Sequence, residues 1–209
     1  EGSLWFAGQV TMNGMVDFDN NVFGTGNVLI TGAYLSSFNA NLGYGEGDRS
    51  VVIADLWYGM TYSPPSDLHD VDSGIGTGLT ITNPYGQLDS YIADTYATHV
   101  NITSANGDDD LVFRGVRFNT MAVSTYNGDD FIEFSSSEYG GNRISEGLTV
   151  DMGYHTDSLW MSDTHVSTHT MLDMGRGGAR DWGQSLQISA HAGCELSEVT
   201  INGENVWAE

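Results

Sequence analysis

Asn106-Gly107-Asp108-Asp109-Asp110-Leu111-Val112-Phe113 is followed by Asn127-Gly128-Asp129-Asp130-Phe131-Ile132-Glu133-Phe134. Each segment is a Gly/Asp turn that runs into an apolar strand. Gly supplies positive φ, and Asn and Asp side chains accept hydrogen bonds from turn amides. Aligned on its apolar pair, Leu111-Val112 returns as Phe131-Ile132 after about 20 residues, an interval typical of repeat architectures. Asp89-Ser90-Tyr91-Ile92 fits the same frame one such period earlier, and Asp157-Ser158-Leu159-Trp160 fits after a longer interval of about 28 residues. Gly175 to Trp182 is a weaker copy, and Gly47-Asp48-Arg49-Ser50-Val51-Val52-Ile53 matches Gly107 to Phe113.

A second strand precedes each turn: Val100-Asn101-Ile102-Thr103, Met121-Ala122-Val123-Ser124, Leu148-Thr149-Val150-Asp151, Thr170-Met171-Leu172-Asp173 and Val199-Thr200-Ile201-Asn202. Most alternate apolar and polar, the signature of a strand with one buried face. One such repeat cannot bury its apolar face alone, so repeats must stack. The expectation is an all-β, right-handed parallel β-helix (β-solenoid) of about 20–28 residues per coil, one domain spanning 1–209. Residues 1–27 lack the turn motif and read as an N-terminal cap or assembly segment. Residues 63–78 read as an inserted loop, because Pro64 and Pro65 cannot donate backbone hydrogen bonds.

Net charge excludes some partners. Against 28 acidic residues stand 6 basic ones, all Arg, for a formal −22. That surface repels nucleic acid and anionic membrane. It attracts divalent cations or keeps the chain soluble. Nothing approaches the ~20 apolar residues of a membrane helix. Cys194 stands alone, so no intramolecular disulfide forms, and it reads as a small buried hydrophobe.

Candidate metal ligands are Asp108, Asp109, Asp110, Asp129, Asp130 and Asp157, which stacking brings into a column. Carboxylates ~5 Å apart repel unless a cation lies between them, and calcium accepts several oxygen ligands. Turn capping by the same side chains is the competing reading. In the inserted loop Asp67, Asp70 and Asp72 can converge on one ion, without EF-hand spacing. His165 and His169 have no third ligand at a zinc-like spacing. A carbohydrate-active β-helix enzyme, lyase or hydrolase, or a glycan-binding adhesin, is the alternative function. The acidic surface and the absence of lysine weigh against a polyanionic substrate. Asn101-Ile102-Thr103 is one glycosylation sequon.

The motifs N-G-D-D-[FL]-[IV], V-D-M-G at Val150 to Gly153 and N-P-Y-G at Asn83 to Gly86 resemble the β-strand repeats of large bacterial extracellular and surface proteins, which carry G-x-G-[DN]-D-x-[IV]. The resemblance covers about residues 80–182 and implies an extracellular or cell-surface bacterial location. It also touches the RTX calcium nonapeptide, but the acidic turn here returns at more than twice a nonapeptide's spacing, so that ligation scheme does not carry over.

Two apolar residues stand side by side after each turn, and strand neighbours face opposite ways. With Leu111 and Phe113 inward, Ile92, Val112, Ile132 and Trp160 are expected to form an exposed apolar stripe, which usually marks a contact. Val199 to Trp207 reads as strand with no polar cap, so Trp207 joins that set. The expected function is a secreted structural subunit that assembles head-to-tail with itself into a filament or surface layer, with calcium as its expected cation. It is not expected to be an enzyme.

Overall fold

The computed structural model describes residues 2–19, 26–43, 49–54, 73–175, 185–188, 194–202 and 207–208. The chain is all-β, and no helix occurs among the described residues, so none is long and apolar enough to cross a membrane. Its first strands are β1 (Gly2–Asp19), β2 (Gly26–Asn41), β3 (Arg49–Ala54) and β4 (Ser73–Asn83). Next come β5 (Leu88–Ala93), β6 (Thr95–Ser104), β7 (Asp110–Arg114), β8 (Arg117–Ser124) and β9 (Phe131–Ser135). β10 (Asn142–Asp151), β11 (Ser158–Met161), β12 (Thr164–Val166) and β13 (His169–Asp173) follow. The last are β14 (Ser185–Ile188), β15 (Glu195–Leu196), β16 (Val199–Asn202) and β17 (Trp207–Ala208).

All pairings between these strands are parallel, and each joins a strand to its equivalent one repeat later. One ladder runs from the first halves of β1 and β2 through β3, β5, β7, β9, β11, β14 and β17. The other runs from the second halves of β1 and β2 through β4, β6, β8 and β10. It then divides into β12–β15 and β13–β16. A register shift bends this ladder, as between Ile75 and Gly78 or Ile144 and Gly147.

Inward positions line up into apolar columns. Val51, Leu111, Ile132 and Leu159 share one column, which Ser90 interrupts. Ile53, Ile92, Phe113, Phe134 and Met161 share the next. Phe113 and Phe134 stack with centroids 4.9 Å apart. The second ladder adds Leu79, Val100, Met121 and Leu148, and beside them Ile81, Ile102, Val123, Val150 and Leu172. These form one continuous core.

The register differs by one position from the alignment on apolar pairs. Leu111 lies beside Ile132 rather than Phe131, and Phe131 lies beside Asp110. Side chains alternate with period 2, so a one-position slip reverses every face. Ile92 and Ile132 therefore point inward and are 0% exposed, not outward as expected. Val112 and Trp160 do point outward, and their column reads Val52, Tyr91, Val112, Glu133, Trp160. It is a mixed stripe, not an apolar one. Some ladder offsets also exceed the expected coil length, where His165 pairs with Glu195 and Arg49 with Leu88.

Residues 2–19 form β1 and pair with β2 along their length. β4 starts at Ser73, inside the segment expected to be a loop, whose earlier part lies outside the described residues. Cys194 is half-buried against the core, and burial raises its thiol pKa, in keeping with a hydrophobe's role.

Candidate functional site: the stacked carboxyl turn

Where the second ladder ends and the next strand of the first begins, backbone amides lose their ladder partners and need others. The second Asp of each N-G-D-D turn supplies one by reaching back a repeat. The Leu88 amide donates to Asp109 Oδ1 at 2.8 Å, the Asp109 amide to Asp130 Oδ1 at 2.9 Å, and the Asp130 amide to Asp157 Oδ1 at 3.1 Å. The first Asp reaches forward. The Asp129 amide donates to Asp108 Oδ1 and the Thr156 amide to Asp129 Oδ1, both at 3.0 Å. The doubled Asp is thus a two-way clasp between repeats, and capping accounts for every Asp of the expected column except Asp110.

Asp109, Asp130 and Asp157 are buried. Burial pushes the Asp109 carboxyl from its ordinary 3.8 up to about 7, and the charges of Asp130 and Asp108 add to that. Hydrogen bonding from Ser104 and Leu88 opposes the rise. Burial likewise raises Asp130. Oδ2 of Asp109 and of Asp130 is sealed from solvent with no hydrogen-bond partner. With carboxyls ~4.8 Å apart on neighbouring repeats, a proton on one of them relieves the repulsion.

In the interior column turn capping already engages carboxylate oxygens that a calcium site would draw on. Calcium takes about six to eight oxygens. Here one oxygen of each Asp accepts an amide, and the second oxygen of Asp109 and Asp130 is closed off. Among the described residues no three carboxylate, imidazole or thiol groups converge as a metal site. Asp108, Asp110 and Asp129 are exposed, and Asp110 stands beside exposed Asp89 on the neighbouring repeat. Burial, then the charges of Asp89 and Glu133, raise the Asp110 pKa. Asp67, Asp70 and Asp72 lie outside the described residues.

Beneath the clasp runs a buried polar row that the sequence did not single out. Asn83 Nδ2 donates to Ser104 Oγ (3.1 Å) and to the Gly86 carbonyl (2.7 Å). Buried Arg49 donates through Nη1 to Asn83 Oδ1 (2.8 Å) and through Nε to the Leu42 carbonyl (3.0 Å). Desolvation lowers the Arg49 pKa. On the outer face the Arg114 guanidinium sits 5.8 Å from the Tyr91 ring centroid and 3.1 Å from Glu133 Oε1. Of the expected assembly residues, Val112 and Trp160 thus share a column with Tyr91 and Glu133. Trp207 pairs through its backbone with Ser185, and its side chain lies outside the described set.

His165 Nδ1 lies 2.9 Å from Glu195 Oε2, and its Nε2 lies 3.0 Å from exposed Ser167 Oγ. His169 stands apart, its Nδ1 3.3 Å from Thr168 Oγ1. No known protein family, curated protein or solved structure matches the chain.

Proposed function

We propose that the chain is a right-handed parallel β-solenoid that stacks head-to-tail on copies of itself, a structural subunit of an extracellular bacterial filament or surface layer. One observation carries this reading. Val199 and Ile201 belong to inward columns, next to Thr170 and Leu172, yet they are 43% and 44% exposed. Leu172 is fully buried by comparison. At the opposite end of the same columns stand Val16 and Phe18, which β2 covers on one side only, and Phe18 is partly buried. A second copy set with its β1 over β16 would continue both columns without a break. Such a contact joins unlike surfaces and does not close, so it propagates. Among the described residues no strand pairs with the outer edge of β1 or of β16, and an open edge favours further pairing.

Calcium in this reading is confined to the exposed carboxylates of Asp108, Asp110 and Asp129. There it would screen a −22 chain against its neighbour. A glycan remains an outer-face partner only in the alternative reading.

The test is electron microscopy and light scattering on the whole chain, with calcium and with chelator. Wild type should form filaments. Val199→Glu and Ile201→Glu should each weaken association about tenfold or more, because each replaces apolar area that assembly buries. Both positions are exposed in the monomer, so circular dichroism should show the fold intact. Monodisperse wild-type particles at every concentration and calcium level would overturn the proposal.

A further inference from the structure

Arginines are scarce in this chain, and their placement is informative. Tyr96, Arg117, Arg143, His165 and Glu195 occupy one outward column on successive repeats. Its inward neighbours Ala97, Phe118, Ile144 and Val166 are buried in the core, so the column faces away from it. Arg117 and Arg143 pair directly through their backbones. Their side chains therefore leave the sheet ~4.8 Å apart, close enough for two guanidinium groups to repel.

Among the described residues, neither guanidinium is ion-paired to a carboxylate that would offset that repulsion. The ion pair there is Arg114–Glu133, and His165 Nδ1 lies 2.9 Å from Glu195 Oε2. Arg117 and Arg143 have no hydrogen bond or ion pair through their side chains in that set, and Arg117 Nε, like that of Arg114, is buried without a partner. An unmet buried donor is destabilising until something accepts from it. The chain has 28 acidic residues, yet no described one forms an ion pair with either arginine, although Asp163 and Glu195 share a cavity with Arg143. Glu195, the carboxylate of the column itself, is engaged with His165.

Beside Arg143 opens a cavity of about 300 Å³ lined by Gly141, Asn142, Arg143, Asp163, His165 and Glu195. It has room for a small molecule and not for a folded segment. Guanidinium forks match the two oxygens of a carboxylate. Asp163 and Glu195 on the rim can accept hydrogen bonds from hydroxyl groups, and they repel a second negative charge.

We propose that Arg117 and Arg143 form a binding site for a carboxylate on a small hydroxylated molecule, with the adjoining cavity holding the hydroxyl-bearing body. The site is independent of filament assembly. A carboxylate of a second copy is the other source of the same chemistry, and the experiment separates the two.

The experiment follows the arginine Nε–H resonances of the intact protein by nitrogen-15 NMR. Gluconate should shift Arg117 and Arg143 saturably, with a dissociation constant of about millimolar, as one bidentate contact supplies. Sorbitol, which lacks the carboxylate, should shift neither. Arg114, whose guanidinium is anchored to Glu133 through Nη2, is the internal control and should move far less than either. Arg117→Gln and Arg143→Gln should each weaken gluconate about tenfold or more. If the two resonances instead move with protein concentration and no added ligand, the carboxylate comes from a second copy and the small-molecule site is overturned. If neither addition moves them, or Arg114 moves as much as they do, the site does not exist.

Discussion

Gly153→Ala is expected to cost about 4 kcal/mol, a large share of a domain's usual stability. Gly153 sits at φ +77, where an alanine is strained by about 1–3 kcal/mol. A Cβ there would also stand inside van der Waals contact of the Tyr126 carbonyl on the preceding repeat. That neighbour is backbone, and it accepts the Tyr154 amide at 2.6 Å, so it cannot move aside without breaking the turn. Gly140→Ala separates the two causes. Gly140 also has positive φ, +125, but nothing lies within 4 Å of its added Cβ. It should cost about 1–3 kcal/mol from backbone strain alone. Urea unfolding followed by circular dichroism measures both. Equal losses would mean that repeats do not touch through their turn backbones.

Asp109→Asn is the second large effect, and it grows with pH. The folded carboxyl titrates at about 7 and the unfolded one near 3.8. Below about pH 4 both states are protonated and the group is neutral in the balance. Between about 4 and 7 the unfolded chain releases its proton first, so stability falls as pH rises. Above about 7 the loss is complete, at most about 4 kcal/mol for such a shift. Asp130 and Asp151 are raised in the same direction, chiefly by burial, and steepen the decline. Asparagine keeps the acceptor for the Leu88 amide and never ionises. It should therefore gain about 1–3 kcal/mol over wild type at about pH 8 and flatten the profile between about 4 and 7. Asp109→Ala should instead lose about 1–3 kcal/mol at about pH 4, since the buried Leu88 amide is left unpaired. Melting curves across that range are the measurement. An asparagine variant less stable than wild type at the alkaline end would show that the ionised carboxylate is held by a cation, reopening the calcium reading for the interior column.

The turn was legible in the sequence because Gly, Asn and Asp are turn residues. Its hydrogen bonding was not, because Asp108, Asp109, Asp129 and Asp130 accept amides of neighbouring repeats rather than of their own turn. The strand faces were harder to read, for a reason visible at two positions. Phe131 occupies the outward place that Asp110 holds a repeat earlier. An alignment that seeks apolar residues slides by one to accommodate that phenylalanine, and slides again to set Tyr91 rather than Ser90 beside Leu111, so Ile132 and Ile92 come out facing solvent. The match of Gly47–Ile53 to Gly107–Phe113 did not suffer this, because both segments are polar at the slot in question. There Val51 and Leu111 share one column and Ile53 and Phe113 another. The arginine column was not legible at all. The step along the chain from Arg117 to Arg143 is longer than the step from Arg143 to His165. No fixed interval in the sequence announces that the three residues are neighbours.

The parallel register has a mechanical side. Each repeat binds its neighbours through strands that run across the stacking direction, and contacts reach only the adjacent repeats. Tension applied along that direction therefore works on one interface at a time, peeling rather than shearing. A released repeat lengthens the tether by its own contour. Repeats are shorter from β5 to β9, where Ser90 meets Leu111 and Leu111 meets Ile132, than from β9 to β14, where Ile132 meets Leu159 and Leu159 meets Leu186. At ~3.3–3.6 Å per extended residue, the shorter repeats should release in steps of about 70 Å and the longer ones in steps of about 90 Å. Optical tweezers would read the spacing of the turns as a sequence of lengths, and a single abrupt rupture would contradict the nearest-neighbour stack. A fibre made of such units would yield under load in small instalments before it parted.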